Sequence, residues 1–138
     1  MRHRKAKKVL ALPADQRLAL LKSVVSGVLW YGAIETTHAR AKAAQPLLEE
    51  MVSLGRLTGV EPRRRAARLL STGSGAAHTG RRWRAPAGRL LVKRLFDDIG
   101  PRYKDRSGGY SRIVRIGARR GDAAVLVRLE LVDFPAET

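Results

Sequence analysis

An α+β domain is what this sequence predicts, and three observations carry the expectation. Apolar residues recur at helical spacing in four separate segments of the first hundred residues. Two strand-like runs, 110–116 and 124–132, then follow and are joined by a glycine-bounded connection of hairpin size. The chain opens on a stretch that has charge but no periodicity. The expected architecture is four helices and a small three-stranded sheet ending in a basic antiparallel hairpin, with an extended basic N-terminal arm. Residues 1–12 form the arm, and residues 13–138 form one domain with a loop insertion at 71–88.

The arm holds Arg2, Arg4, Lys5, Lys7 and Lys8, and no acid precedes Asp15. Such a segment orders only on a partner. Pro13 and Asp15 then signal a helix start, with Asp15 as the cap. Leu18, Leu21, Val25 and Val28 supply its apolar stripe, widened by Val24 and Leu29, and Gly32 ends it. Trp30 and Tyr31 at its end suit core or rim packing, with base stacking as the alternative.

The AIET run at 33–36 reads as an edge strand, and Thr36 or Thr37 caps the second helix. Ala41, Ala44, Leu47, Leu48, Met51 and Val52 line its inner face, Pro46 kinks or divides it, and Gly55 stops it. A third helix, PRRRAARLL, turns Ala66, Leu69 and Leu70 inward and its arginines outward. Residues 71–88 break every pattern and form a long loop whose RRWR centre suits RNA or belongs to a bland insertion with a half-buried Trp83. The fourth helix runs over 89–99 through Leu91, Leu95 and Ile99 and ends at Gly100 and Pro101.

Charge is the loudest functional signal. There are 28 Lys and Arg against 12 Asp and Glu, a formal net charge of +16. A hydrophobic fraction of 44% is ordinary for a globular chain, so the excess of cations needs a polyanion rather than disorder to explain it. Arg outnumbers Lys, and a guanidinium grips phosphate through two parallel hydrogen bonds and stacks on bases, which favours nucleic acid over a membrane surface. The absence of cysteine removes disulfides, thiolate metal sites and a cysteine nucleophile. His3, His38 and His78 have no metal-ligand spacing, Asp97 and Asp98 are adjacent and do not share a helix face, and no glycine run has the form of a nucleotide-binding loop. Neither enzyme activity nor a cofactor is expected. The few aromatics, 5% of the chain, argue against a sheet that stacks bases, so contacts to phosphates and folded RNA shape are expected. A DNA-compacting or DNA-binding regulatory module is the alternative, though it calls for a dimerising surface that the sequence does not show, and a basic ribonuclease using His38 or His78 is a third.

Three stretches carry a more specific signal: MRHRK at the start, ETTHARAKAAQPLLEEM, and above all LFDDIGPRYKDRSGGYSRIVRIGARRGDAA followed by LELVD. Together they resemble the bacterial large-subunit ribosomal protein seventeen family over most of residues 14–56 and 89–133. The resemblance implies an α+β fold with a small mixed sheet. It implies a structural, non-catalytic role in the large subunit, near the outer end of the peptide exit tunnel. The partners implied are large-subunit ribosomal RNA and neighbouring large-subunit proteins, with no membrane and no small-molecule substrate, in a cytoplasmic rather than organellar ribosome. Matched to the family, Arg2, His3, Arg4 and Lys5 enter RNA, Thr36, Thr37 and Lys42 form a helix-start motif, and Arg102, Arg106, Gly108, Gly109, Tyr110 and Arg112 form a basic turn and strand. To these the charge pattern adds Lys7, Lys8, Arg40, Arg63, Arg64, Arg119 and Arg120. The sequence departs from the family in VLALPADQ after the arm, in Gln45 before Pro46, in AVL at 124–126 and in its longer loop.

The run YSRIVRIG poses one puzzle. Alternation puts Ser111, Ile113 and Arg115 on one side and Tyr110, Arg112, Val114 and Ile116 on the other, which is not a clean split. One face packed on helices and one facing RNA fits, given a bulge near Gly108 and Gly109 or coverage of both faces.

Overall fold

The computed structural model describes residues 8–70 and 88–135. In chain order these form α1 (Ala14–Tyr31), β1 (Ala33–Thr37), α2 (His38–Gly55), α3 (Val60–Leu70) and α4 (Gly88–Arg94). The fourth helix runs on without a break into a π-helical turn, Leu95–Ile99, and a last turn, α5 (Gly100–Arg102); β2 (Ser111–Ala118) and β3 (Val125–Leu131) close the fold. The described part of the chain is thus an α+β fold, and most of the 71–88 loop and the arm up to Lys7 lie outside the described residues.

The sheet has the order β1-β3-β2, with both pairs antiparallel. The mixed sheet that the resemblance implied is therefore corrected. The hairpin forces β2 and β3 to be antiparallel, and β1 is locked in the same sense by the Leu131 N–H donating to the Gly32 carbonyl at 2.9 Å. β3 takes the centre because its alternation is the cleanest: Val127, Leu129 and Leu131 are all buried. Ile34 and Ile113 flank Leu129, and Thr36 and Arg115 flank Val127.

The helices cover one face of this sheet. Val25, Val28 and Leu29 of α1 meet Ala44, Leu48, Met51 and Val52 of α2, and Ala66, Leu91, Leu95 and Ile99 close the cluster. Each fully buried Val, Leu, Ile or Met is worth about 1.5–3 kcal/mol relative to exposure. Leu18 belongs to the stripe of α1 yet is 48% exposed, because the first turns of that helix project past the core.

Four local expectations change. Asp15 does not cap α1; the cap position is Pro13, and Asp15 lies in the first turn, where a carboxylate still favours the positive end of the helix dipole. Thr37 occupies the cap position of α2 in an extended conformation but makes no side-chain capping bond. Pro46 neither divides nor ends α2, which is one helix of 18 residues with Pro46 on its exposed side. Gly100 and Pro101 do not end the fourth helix. A Cβ on Gly100 would lie 2.0 Å from the Gly55 carbonyl oxygen, so Gly100 is there for a backbone crossing between the π-helical turn and the end of α2. Gly32 does stop α1, at φ 80°, with its N–H donating to the Val28 carbonyl at 2.8 Å.

The puzzle of β2 resolves in the register. The bulge falls between Arg115 and Gly117, not at Gly108 and Gly109. Ser111 and Ile113 face the helices; the strand then runs past the core, with Val114 exposed and Ile116, the bulge residue itself, 50% exposed.

Candidate nucleic-acid interface

The GGYS segment that precedes β2 is held by a single carboxylate on α2. Glu49 Oε2 accepts the Tyr110 N–H at 3.0 Å, and its Oε1 accepts the Ser111 N–H at 2.9 Å and the Ser111 hydroxyl at 2.5 Å. Gln45 Nε2, one turn earlier, reaches the same hydroxyl at 3.4 Å. Gly109 turns the chain at φ 63°, the left-handed region that glycine enters without strain.

Tyr110 departs from expectation. The family resemblance places it among the RNA contacts, but it is 2% exposed and packs edge-on to Tyr103, with ring centroids 5.5 Å apart. Its hydroxyl accepts from Arg56 Nη1 at 2.5 Å and donates to the Arg106 carbonyl at 3.2 Å, while Arg56 Nη2 donates to the Lys104 carbonyl at 3.0 Å. Tyr110 and Arg56 thus pin the basic turn from inside. The Tyr103 hydroxyl donates to the Val132 carbonyl at 2.5 Å, and burial, reinforced by Asp133, pushes its pKa up to about 12.

The arginines of α2, α3 and the segment from Arg102 to Arg128, with Lys42, fall into two groups, while Arg17 on α1 and Arg89 on α4 also lack an ion pair among the described residues. The first has acids within the fold. Arg63 pairs with Asp97 at 3.4 Å and lies over the Phe96 ring at 4.8 Å, Arg65 pairs with Glu50 at 2.7 Å, and Arg68 approaches Glu61 at 3.9 Å. On the sheet face away from the helices, Arg112 pairs with Glu130, and Arg128 with Glu35 at 3.5 Å. Arg106 donates to the Gly108 carbonyl at 3.2 Å and to Asp133 at 3.3 Å. Arg119 forms a two-pronged pair with Asp122, at 2.9 Å from Nε and 2.5 Å from Nη2. That pair holds the Asp122 carboxyl well below the usual carboxylate range, helped by the Ala124 N–H, and raises the Arg119 guanidinium.

The second group, Arg40, Lys42, Arg64, Arg102, Arg115 and Arg120, has no ion pair among the described residues; of these, Arg102 lies over the Phe134 ring at 5.0 Å. Arg40 and Lys42 sit in the first turns of α2, directly after Thr36 and Thr37. Arg115 lies beside Val127 in the register and Thr36 lies on the other side of Val127, so the hairpin and the start of α2 share one end of the sheet. Arg119 and Arg40 line the same groove there. The fold therefore brings Thr36, Thr37, Arg40, Lys42, Arg119 and Arg120 to one end. Arg102, Arg106, Gly108 and Gly109 sit at the turn before β2, and Arg63 and Arg64 lie apart on α3. Lys8 is exposed at the start of the described chain; Arg2, His3, Arg4, Lys5 and Lys7 lie outside the described residues.

Two residues escaped the sequence reading. Arg115 was grouped by alternation with Ser111 and Ile113, which hid that the strand outruns the core at that point. Glu49 was one acid of the Glu-Glu pair on a helix, and only the tertiary contact shows its role. Among the described residues, no cluster of three or more His, Asp or Glu stands ready for a metal ion, and no helix is long and apolar enough to cross a membrane.

Residues 20–132 match the family model described as Ribosomal protein L17. The chain is 43% identical over 123 residues to Large ribosomal subunit protein bL17 of Thermoanaerobacter sp. (strain X514), an alignment covering 89% of this chain and 96% of that protein. It is 42% identical over 130 residues to the Clostridium tetani protein of the same name, covering 94% and 97%. It is 41% identical over 137 residues to that of Acidobacterium capsulatum, covering 99% of this chain and 76% of the relative.

Proposed function

The chain belongs to the ribosomal protein L17 family, whose members are structural and non-enzymatic constituents of the large ribosomal subunit, and from that premise we propose how it works there. It binds large-subunit ribosomal RNA near the outer end of the peptide exit tunnel, through Arg and Lys contacts to phosphates, in the cytoplasmic ribosome. Neighbouring large-subunit proteins complete its surroundings.

The observation that carries this is the sorting of cations. Most arginines on α3 and those on the open sheet face are met by acids of the same chain, while Arg40 and Lys42 at the start of α2 and Arg115 and Arg120 toward the hairpin tip are left for an external anion. Arg64 is the α3 residue outside that sorting, and Arg119 is the residue at the hairpin tip with an internal partner. An arginine already paired with an acid of the fold brings less net charge to a phosphate than an unpaired one, so counterion release on binding comes mainly from the unpaired cations. Binding is therefore driven by charge neutralisation at one end of the sheet, with the 1–12 arm adding contacts that order on the RNA. Tyr110, Arg56 and Glu49 contribute by fixing the turn, not by touching RNA.

The test is sedimentation of a native lysate through sucrose gradients at moderate and high salt. Co-migration with large subunits and intact ribosomes at both salts is expected. Release from the subunits, or migration with the chromosome, would overturn the reading.

A further inference from the structure

We propose that the groove between the start of α2 and the hairpin tip seats one backbone phosphate, held jointly by Arg40 and Arg119 and fixed in place by Asp122. This rests on the RNA-binding reading and deepens it to a single phosphate site.

The groove has a volume of about 290 Å³ and is walled by α1, β1, the first turn of α2 and the hairpin. Ser23, Thr36 and Thr37 line it, together with Arg40 and Arg119 from two elements far apart in sequence. Its one carboxylate, Glu35, is already paired with Arg128 at 3.5 Å. The volume lies at the small end of ligand clefts, which suits one charged group with its flanking atoms rather than a whole nucleotide. Thr37 makes no side-chain capping bond, so its hydroxyl is not committed to its own helix.

The Arg119–Asp122 pair defines how the site works. A guanidinium carries five N–H groups. Asp122 takes the Nε–H and one from Nη2, leaving the two on Nη1 and the second on Nη2. The Nη1–Nη2 edge is the other two-pronged face of the same group, and it remains free to bind a phosphate bidentately. Asp122 is therefore a positioning residue: it holds Arg119 in one orientation without occupying the face the phosphate needs. Arg40 supplies the second cation, with no ion pair among the described residues.

Two measurements on the full chain test this. The first is the salt dependence of binding to in vitro transcribed large-subunit ribosomal RNA for wild type, Arg40→Gln, Arg119→Gln and the double variant. If the two arginines share one phosphate, the double variant lowers the log–log slope by about 0.9 in total, and the single losses do not add. A double loss of about 1.8, the sum of two independent losses, means two separate phosphates and overturns the proposal. The second is titration with inorganic phosphate followed by amide NMR. Shifts centred on Thr36, Thr37 and Arg40 are expected in the wild type and absent in the double variant; shifts that survive the double substitution, or lie elsewhere, overturn it. Asp122→Asn removes a negative charge yet is expected to weaken the phosphate shifts, and stronger ones would show the carboxylate competing for the site instead. A wild type that binds phosphate in the groove but shows no salt-dependent RNA binding would sink the RNA reading and leave the groove standing.

Discussion

Glu49 carries three hydrogen bonds from the segment that opens β2, and it does so from the middle of another element. Glu49→Gln keeps the shape but turns one acceptor into a donor facing a backbone N–H, so a loss of about 2–3 kcal/mol is expected in urea unfolding. Gly100 makes the opposite kind of demand, for space. Gly100→Ala would set a Cβ 2.0 Å from the Gly55 carbonyl oxygen. Its cost is expected to reach or exceed about 3 kcal/mol, the upper part of the range for overpacking. Gly108→Ala, whose added Cβ meets nothing within 4 Å, is expected to stay within about 0.5 kcal/mol of wild type. Tyr103 adds a pH dependence. Its folded pKa of about 12 stands above the ordinary 10.0, so the unfolded chain gives up the proton first. Stability contributed there is complete below pH 10 and is lost as pH rises from about 10 to about 12. Tyr103→Phe is expected to remove that dependence in alkaline unfolding curves and to cost about 1 kcal/mol for the lost bond to Val132.

At the scale of elements, the helices and the hairpin were legible because their apolar periodicity coincides with burial: Val25, Val28, Leu48, Met51, Val127 and Leu129 all lie in the core. What was hidden depends on tertiary contact. The continuation of the fourth helix through Gly100 and Pro101 follows from a crossing with Gly55, which no local pattern announces. The bulge after Arg115 is set by cross-strand register, and the sequence only posed the problem as an imperfect alternation. The antiparallel fit of β1 depends on which edge of β3 was open. The candidate site was legible as composition, an excess of arginine, but not as a selection among arginines: the α3 run looked as basic as the hairpin, yet its acids Asp97, Glu50 and Glu61 come from other turns and elements. The hairpin tip has its own prediction. Asp122 accepts from Arg119 twice and from the Ala124 N–H at 3.3 Å. Asp122→Ala is expected to speed amide exchange across residues 117–124 while leaving the melting transition of the core nearly unchanged, because the tip carries little of the buried surface. Equal loss of protection throughout the sheet would contradict this.

For the whole molecule, a net charge of +16 is not a uniform coat. Acids pair with Arg112 and Arg128 on the open sheet face and with Arg63, Arg65 and Arg68 on α3, and the cations without internal partners include a group at the end shared by the hairpin and the start of α2. On the proposed reading that asymmetry gives the protein a side for RNA, at the end where the cations lack internal partners. The most direct test compares the salt dependence of binding to large-subunit ribosomal RNA for two sets of glutamine substitutions. One set replaces Arg40, Lys42, Arg115 and Arg120; the other replaces Arg112 and Arg128. The first is expected to flatten the slope by up to about 3.6, at about 0.9 per phosphate, and the second to leave it unchanged. A flatter slope from the Arg112 and Arg128 pair, with none from the four, would place the RNA on the open sheet face and contradict the account.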